Sequence, residues 1–363
     1  QKIKKIQSTK RNYFKNKKLD SLFIKNKKKF NISTDYNLAL NSDYIFICLP
    51  FNIDSKLNTN DSKYFKLIEK YYLNVKKNCT LILNSTVPPG YSTSIIKRFK
   101  KKNKFRGTDV KIVYSPERVE PGINYYNSIV NTPRVFSTNG NPNITKEIKG
   151  LFRNILNFKK LKLVELQKYE EAEICKVLEN SYRAANIAFM EEWGVLAENL
   201  KINIFPVIEA IKMRKTHQNI MKPGLGVGGY CLTKDPFFAK YSSKNYSSKK
   251  TKFPFIDLTM NINLKMHLRS IRLINSILKK YDYKKVLIIG LSYTNSVDDL
   301  RNSRAVDLVE SININKRNLT IYEKSINQRQ ILGTRIVKNV PNINNFNLII
   351  LLNKCNINFK KIK

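Results

Sequence analysis

A cysteine beside a glycine-rich segment is the residue of this sequence best suited to covalent chemistry. Cys231 follows Gly228 and Gly229 and precedes Lys234 and Asp235. Glycines let a backbone approach a ligand closely, a nearby cation favours the nucleophilic thiolate, and a carboxylate four residues on can handle protons. The sequence therefore suggests Cys231 as a catalytic nucleophile, with a buried structural cysteine in a turn as the alternative.

Two polar side chains on one expected helix could stabilise negative charge. Lys176 and Asn180 are four residues apart and so share a helix face, and Arg183 lies near that face. An ammonium group and an amide presented together can stabilise a developing oxyanion. A solvated polar face is the alternative interpretation.

The remaining cysteines suggest no further chemistry. These are Cys48, Cys79, Cys175 and Cys355. They are scattered along the chain, and none forms a Cys-x-x-Cys pair with another cysteine. The spacing argues against both a disulfide framework and a zinc site, so we expect structural cysteines and no metal.

Strands alternating with helices must position these residues. After a basic, amphipathic helical stretch at 1–30, apolar runs predict strands at 43–50, 80–86, 110–116 and 161–166. Helices are predicted between them at 61–77 and 91–102. This alternation is typical of a parallel α/β sheet, with 161–166 as its last strand.

A long helix is predicted at about 167–200. Its apolar residues recur every three or four positions and form one continuous face: Ile174, Leu178, Tyr182, Ala185, Phe189, Trp193, Leu196 and Leu200. At 1.5 Å per residue the helix would be roughly 50 Å long, which favours a bridge between domains or contact with a partner chain. Plain core packing is the alternative.

A second α/β segment follows a helical middle. The polar stretch 241–252 is expected to be a loop and 255–280 a helix, before strands at 284–293, 318–324 and 346–353 and a helix from about Arg304. We therefore expect an α/β protein with two Rossmann-like parallel-sheet domains joined by the long helix. The expected domains are 1–165, a first α/β domain; 166–280, a helical middle that contains the cysteine loop; and 281–363, a second α/β domain.

The charge is extreme for a chain of 363 residues. Lys and Arg number 67 against 27 Asp and Glu, a formal net charge of +40. Because lysines occur in every region and no nucleic-acid-binding motif stands out, we expect salt-dependent, nonspecific anion binding and no specific nucleic-acid partner. No signal peptide or membrane-spanning run is visible, so we expect a cytoplasmic protein with no membrane partner.

Five motifs in order resemble the nucleotide-sugar 6-dehydrogenases of the UDP-glucose/GDP-mannose dehydrogenase superfamily. They are STVPPG (85–90), YSPERVEPG (114–122), EICKVLENSYRAANIAF (173–189), GLGVGGYCLTKDP (224–236) and GLSYTNSVDDLRNSRA (290–305). The resemblance covers nearly the whole chain. It implies oxidation of a sugar C6 alcohol to a carboxylate with reduction of two NAD, and a homodimer formed through the long helix.

The resemblance also implies roles for individual residues. Cys231 matches a nucleophile that forms a thiohemiacetal and then a thioester. The other implied catalytic residues are Lys176 and Asn180 for the oxyanion, Asp235 and Thr86 for water, and Glu117 as general base. Cofactor contacts are implied for Ser85, Thr86, Lys234 and Arg301. Substrate contacts are implied for Glu117, Arg118, Val119, Lys176, Asn180, Arg183, His217, Gly228 and Tyr293.

The sugar is less sharply defined than the chemistry. The form ERVEPG (117–122) and Arg183 resemble the branch acting on UDP-N-acetylhexosamines, that is UDP-ManNAc or UDP-GlcNAc. Lys234 before Asp235 resembles the UDP-glucose enzymes. We expect the N-acetylhexosamine branch, with uronic-acid products used for surface polysaccharide.

The sequence departs from the family pattern in several places. The opening strand and GxGYxG turn are not present, so we expect a truncated first domain that binds NAD poorly. Phe51 and Asn52 stand where the family has Thr-Pro, Thr294 follows Tyr293 where a Lys is common, and His217 stands where many relatives have Arg. A non-catalytic UDP-sugar-binding remnant is therefore the competing hypothesis.

Overall fold

Two compact units make up the chain. The computed structural model describes residues 6, 16–101, 110–120, 125–156, 162–281, 283–294 and 297–353. The first unit comprises 1–178 with 237–251, and the second comprises 179–236 with 252–363. Cys355 and most of the first half of the expected helical stretch 1–30 lie outside the described residues. The three-domain division stays a prediction.

The helices of at least seven residues follow the chain in this order: α1 Lys17–Asn26, α2 Asp61–Asn74, α3 Tyr91–Lys101, α4 Tyr125–Asn131, α5 Pro142–Ile155, α6 Tyr169–Asn199, α7 Ile204–Lys212, α8 Phe237–Asn245, α9 Pro254–Tyr281 and α10 Arg304–Ser311. The long helix predicted at about 167–200 is confirmed as α6. Among these helices, none is both long and apolar enough to cross a membrane.

The strands are β1 Tyr44–Ile47, β2 Cys79–Leu83, β3 Val110–Tyr114, β4 Arg134–Phe136, β5 Leu163–Glu165, β6 Val286–Ile289, β7 Leu319–Tyr322, β8 Gln330–Ile331, β9 Thr334–Val337 and β10 Leu348–Leu351. All seven predicted strands exist. β4, β8 and β9 were not predicted because they are short and carry no continuous apolar run.

The first unit is built on a three-stranded parallel sheet in the order β1-β2-β3. Tyr44 lies opposite Thr80, and Cys79 opposite Val110. Every residue of β2 is buried, as expected for a strand covered on both faces. The prediction that β5 is the last strand of this sheet was wrong. β5 instead pairs in parallel with β4 in a separate two-stranded sheet.

An aromatic cluster occupies the position of one family departure. The Phe51 side chain is 1% exposed, and its ring centroid lies 5.4 Å from that of Tyr64, 5.0 Å from Tyr91 and 5.7 Å from Phe238. Edge-to-face packing of this kind is favourable beyond the area buried. Phe51 is therefore part of the core of the first unit.

Helix α8 overturns part of the loop prediction for 241–252. Residues 241–245 are helical, because Phe237 and Phe238 are buried and anchor the helix. The rings of Tyr241 and Tyr246 lie 5.8 Å apart at its end. Tertiary burial of the aromatic residues outweighs the turn preference of the serines.

The second unit contains a five-stranded sheet in the order β10-β6-β7-β9-β8. All pairs are parallel except β8 with β9. Ile271 and Ile274 of α9 and Leu308 of α10 pack with Val286 and Ile288 in one apolar core. Both units therefore have the parallel α/β organisation that the alternating pattern predicted.

Candidate active site

The turn that contains Cys231 directs neighbouring residues to opposite environments. The Cys231 carbonyl accepts hydrogen bonds from the backbone N–H of Lys234 at 3.1 Å and of Asp235 at 2.9 Å. Cys231 is exposed, whereas Lys234 and Asp235 are buried. One tight turn therefore presents the thiol outward and the ionisable pair inward.

A buried carboxylate organises the side chains around this turn. Asp235 is 0% exposed. Its Oδ2 accepts from Asn180 Nδ2 at 2.6 Å, and its Oδ1 lies 2.6 Å from Lys234 Nζ. Buried charges need such partners, and the charge-assisted contacts orient the Asn180 amide. The structure thus brings together three sequence-predicted site residues.

The glycine-rich segment touches a tyrosine that the sequence also singled out. A Cβ on Gly228 would lie 2.7 Å from Tyr293 Cβ, and one on Gly229 would lie 2.7 Å from Tyr293 Cε2. Gly229 also has φ +84°, a conformation that favours glycine. The Asn302 amide nitrogen donates to the Gly229 carbonyl at 3.1 Å. These contacts require the glycines of this segment.

Two cations lie against one tyrosine ring. Arg301 Cζ is 4.7 Å and Lys234 Nζ 4.5 Å from the centroid of Tyr230. Asp299 holds the Arg301 side chain, with Nη2 donating to Oδ2 at 2.6 Å. Although burial opposes the shift, hydrogen bonds from Arg301 lower the pKa of Asp299. The Arg301 side chain remains 60% exposed, so its guanidinium is accessible to an anionic ligand.

In the first unit, Ser85 and Thr86 follow the carboxyl end of β2. Ser85 is buried and its hydroxyl lies 3.1 Å from the Ile47 carbonyl and 2.5 Å from the Leu49 carbonyl, both acceptors. Thr86 is half-buried. Open parallel sheets bind ligands at the carboxyl ends of their strands, so these two residues lie at the edge where a cofactor is expected.

Glu117 follows the neighbouring strand β3. Its N–H donates to the Asn84 carbonyl at 3.0 Å, which ties the two strand ends together. Its Oε1 accepts from Arg134 Nη1 at 3.2 Å. Arg134 is 7% exposed and begins β4. Sequence analysis did not single out Arg134; an arginine opening an apolar strand was its only signal.

Cys48 is a second thiol at this strand edge. Its Sγ lies 3.5 Å from Asn84 Oδ1. Burial raises the pKa of the Cys48 thiol and the nearby Glu117 carboxylate adds to the shift, outweighing Arg134. The Cys48 side chain still reaches the surface, and the raised pKa disfavours the reactive thiolate there; its structural role stays a prediction.

The other predicted site residues lie on each unit as follows. In the first unit, Lys176 is half-buried on α6. Arg118 and Val119, which follow β3, are half-buried in the same unit. The Arg118 guanidinium donates to the Pro133 carbonyl at 2.7 Å. In the second unit Arg183 is exposed on α6. His217 is exposed in a short 3₁₀ turn, with Nδ1 2.8 Å from Thr216 Oγ1.

Metal ligation finds no support in the described part of the chain. His, Cys, Asp and Glu side chains form no group of three there that could hold an ion.

Comparison with known families identifies the lineage. Residues 1–156 match the NAD binding domain of the UDP-glucose/GDP-mannose dehydrogenase family, and residues 170–265 match its central domain. The chain belongs to this family. Its members are oxidoreductases that use a nicotinamide cofactor, and Ser85 and Thr86 at the strand edge fit the expected position of that cofactor.

Individual relatives agree with this assignment. A UDP-N-acetyl-D-mannosamine dehydrogenase of Methanocaldococcus jannaschii is 32% identical over 75% of this chain and 60% of its own length. A UDP-glucose 6-dehydrogenase of Campylobacter jejuni is 26% identical over 96% of this chain and 85% of its own. The chain thus spans only about 60% of the first of these relatives.

Solved structures show the same fold. The UDP-D-ManNAc dehydrogenase of Pyrococcus horikoshii matches with a TM-score of 0.76 at 24% identity, over 97% of this chain and 81% of that one. A UDP-glucose dehydrogenase of Pyrobaculum islandicum matches with a TM-score of 0.77 at 18% identity, over 97% and 82%. The two Rossmann-like domains expected from the sequence are therefore confirmed.

Proposed function

We propose that this protein oxidises the C6 alcohol of a UDP-sugar to the carboxylate with NAD, by covalent catalysis at Cys231, to supply a polysaccharide precursor. The observation that carries the proposal is the exposed Cys231 on a tight turn whose next polar residues form a buried network with Asn180. Family membership supports the same chemistry. When bound, NAD accepts a hydride from C6 in each of the two oxidation steps.

Cys231 would act after the first oxidation. Its thiolate would attack the C6 aldehyde and form a carbon–sulfur bond, giving a thiohemiacetal. Loss of hydride from that carbon gives a thioester. Water then adds to the thioester carbon and the carbon–sulfur bond breaks, which releases the carboxylate and regenerates the thiol. Covalent capture prevents loss of the aldehyde.

Lys176 and Asn180 would stabilise the oxygen anion that develops at C6. The Asn180 amide is already oriented by Asp235 at 2.6 Å, so little reorganisation accompanies charge development. Both Asp235 oxygens accept hydrogen bonds. This supports a positioning part for Asp235 in the water step more than a role as the main base.

Glu117 would take the proton of the attacking water, with Thr86 helping to position that water. The Arg134 guanidinium restrains the Glu117 carboxylate at 3.2 Å. Because the Glu117 side chain is 37% exposed, it keeps access to a solvent molecule, as a general base requires. Ser85 and Thr86 would also contact the cofactor.

The substrate is proposed to be a UDP-N-acetylhexosamine, with UDP-glucose as the alternative. The relatives named above include a dehydrogenase for each of these two classes. The exposed Arg301 guanidinium and the buried Lys234 ammonium would contact phosphate groups. The remaining proposed substrate contacts are Arg118, Val119, Arg183, His217, Gly228 and Tyr293.

We also propose a homodimer formed through α6. The apolar side chains predicted to share one face are largely exposed on the single chain: Ile174, Leu178, Tyr182, Phe189, Trp193, Leu196 and Leu200. A contiguous apolar stripe of this kind marks an interaction surface. A second copy of this chain would cover it symmetrically.

The test of the activity is NADH formation with UDP-GlcNAc, UDP-ManNAc and UDP-glucose. We expect two NADH per sugar consumed, and we expect Cys231→Ala to abolish complete turnover because no thioester can form. Cys79→Ala is the matched control, since Cys79 is a buried thiol of β2.

Two outcomes would contradict the proposal. Full turnover by Cys231→Ala would remove the thiol from the mechanism. UDP-sugar binding without NADH formation, in either the chain or a longer form of it, would instead support the non-catalytic remnant.

A further inference from the structure

A buried glutamate links the helix of Lys176 to the turn of Thr86. Glu173 is 0% exposed and lies three residues before Lys176 on α6. Its Oε2 accepts from the Gly90 N–H at 2.6 Å, and its Oε1 accepts from the Ser92 N–H at 2.9 Å. All of these residues belong to the first unit. One carboxylate therefore restrains the end of the turn that begins at Ser85.

We propose that Glu173 is a positioning residue that holds the Ser85–Gly90 turn in a defined place relative to the segment of α6 carrying Lys176. Its catalytic consequence rests on the proposed dehydrogenase function, because that function gives Ser85, Thr86 and Lys176 their roles. The two hydrogen bonds themselves do not depend on it.

No side chain of the described residues next to the start of α3 caps the N–H groups of Gly90 and Ser92. Helix α1 and helix α5 are capped by the preceding side chains Asn16 and Asn141. At α3, by contrast, the amides of Gly90 and Ser92 are satisfied by a side chain more than 80 residues away. Orphan N–H groups at a helix start need some acceptor, and here the acceptor comes from α6.

The Ser85–Gly90 turn is packed tightly enough to move as one unit. Gly90 has φ +92°, and a Cβ there would lie 2.8 Å from Tyr246 Cβ. Val87 is 0% exposed. Tight packing on both sides means that a change in the two hydrogen bonds shifts the whole turn, including Thr86, as interiors are close-packed.

The protonation state of Glu173 changes near neutral pH. Burial raises its pKa to about 7, against the hydrogen bonds from Ser92 and Gly90 and with a small addition from Glu170. Among the residues that the structure describes, Tyr169 on α6 and Tyr64 on α2 also face it. The ionised form accepts both amide hydrogen bonds strongly, and the protonated form accepts them less well.

The raised pKa of Glu173 makes the free energy of unfolding fall as the pH rises. Folding raises the pKa of Glu173 above its ordinary value of 4.5. The protonated form is thus favoured by the fold, and the stability it contributes is full below about pH 4.5 and is lost as the pH rises through about 7. A glutamine has only one acceptor oxygen and would turn its NH2 group toward one of the two N–H groups, so Glu173→Gln keeps the shape of the side chain but loses one of the two hydrogen bonds.

The direct test follows the Gly90 amide by NMR in protein labelled with ¹⁵N-glycine. Carbonyl-¹³C proline restricts the candidates to the three Pro-Gly pairs ending at Gly90, Gly122 and Gly224. We expect one of these signals to titrate with a midpoint of about 7, and to stop titrating in Glu173→Gln. Absence of titration in the wild-type chain, together with unchanged signals of the three pairs in the folded Glu173→Gln variant, overturns the proposal.

The functional test compares KM for NAD with kcat between pH 5.5 and 8.5. We expect KM of Glu173→Gln to match the wild type at low pH and to exceed it about tenfold at high pH, the effect of one charge-assisted hydrogen bond. Glu171→Gln is the control: Glu171 accepts from the N–H groups of Gln167 and Lys168 but is exposed, and its loss should leave the pH profile unchanged.

The outcomes separate the two proposals. If no UDP-sugar is oxidised, the dehydrogenase function fails while the glycine titration still decides whether Glu173 holds the turn. If the glycine titrates and the KM difference does not depend on pH, Glu173 is only a helix cap and the positioning role is refuted.

Discussion

At the scale of single residues, the main feature is a set of ionisable groups held by specific partners. Asp235 is buried between Asn180 and Lys234, and Glu117 is restrained by Arg134. A buried ion pair adds little net stability by itself, but breaking it is costly because one charge loses its counterion. These pairs therefore serve orientation more than folding.

Asp235→Ala should lower the free energy of unfolding of the protein by about 3–5 kcal/mol, because the buried Lys234 ammonium loses its carboxylate. The measurement is urea-induced unfolding followed by circular dichroism. Lys234→Met with Asp235→Leu is the control and should recover most of the loss. Equal destabilisation of the single and double variants would show that the ion pair is not the cause.

At the scale of elements, the glycine-rich segment that precedes Cys231 is fixed by contacts within the second unit. The segment packs on Tyr293 so closely that side chains are excluded at Gly228 and Gly229. The Arg304 Nε adds a hydrogen bond from α10 to the Val227 carbonyl at 3.1 Å. The second unit thus fixes its cysteine turn from a helix and a tyrosine that follow β6.

Gly229→Ala should destabilise the protein by about 1–3 kcal/mol, since alanine is strained at φ +84° and would overlap the Tyr293 ring. Thermal unfolding measures the effect. Gly224→Ala is the matched control, because a Cβ there meets no atom within 4 Å. If both variants unfold at the same temperature as the wild type, the close approach of Tyr293 does not restrict the residue type at position 229.

At the scale of the whole molecule, two surface properties dominate. The formal charge of +40 opposes association of identical chains. The exposed stripe of α6, which includes Trp193 at 50% exposure, favours it. Apolar contact acts at short range, whereas exposed charges are screened beyond about 10 Å at 0.1 M salt. We therefore expect dimerisation to strengthen as salt is added.

Trp193→Glu should weaken the proposed dimer by at least about tenfold, because a central tryptophan contributes about 2 kcal/mol or more at an interface. Light scattering coupled to size exclusion, over a range of protein concentrations, reports the mass. Ser248→Glu adds the same charge to an exposed turn and should leave the dimer intact. A monomeric wild-type chain at all concentrations would refute the α6 interface.

Much of the fold was accessible from the sequence for a simple reason. Strands such as β2 and β6 are continuous apolar runs because they are covered on both faces, and α6 shows a helical period over 31 residues. The sequence wrongly placed β5 in the first sheet, whereas it pairs with β4. It also wrongly predicted a loop at 241–245, which is helical. Strand partners and aromatic anchors are not local properties of the sequence.

By itself, the sequence determined the α/β class, the candidate thiol at Cys231 and its neighbours Lys234 and Asp235, since these depend on residue type and on spacing along the chain. Only the tertiary structure decided which groups hold them. Asn180 meets Asp235 across 55 residues, and Glu173 meets Gly90 across 83. Such partners are chosen by chain topology and by the need of every buried polar group for a hydrogen bond, which no local pattern encodes.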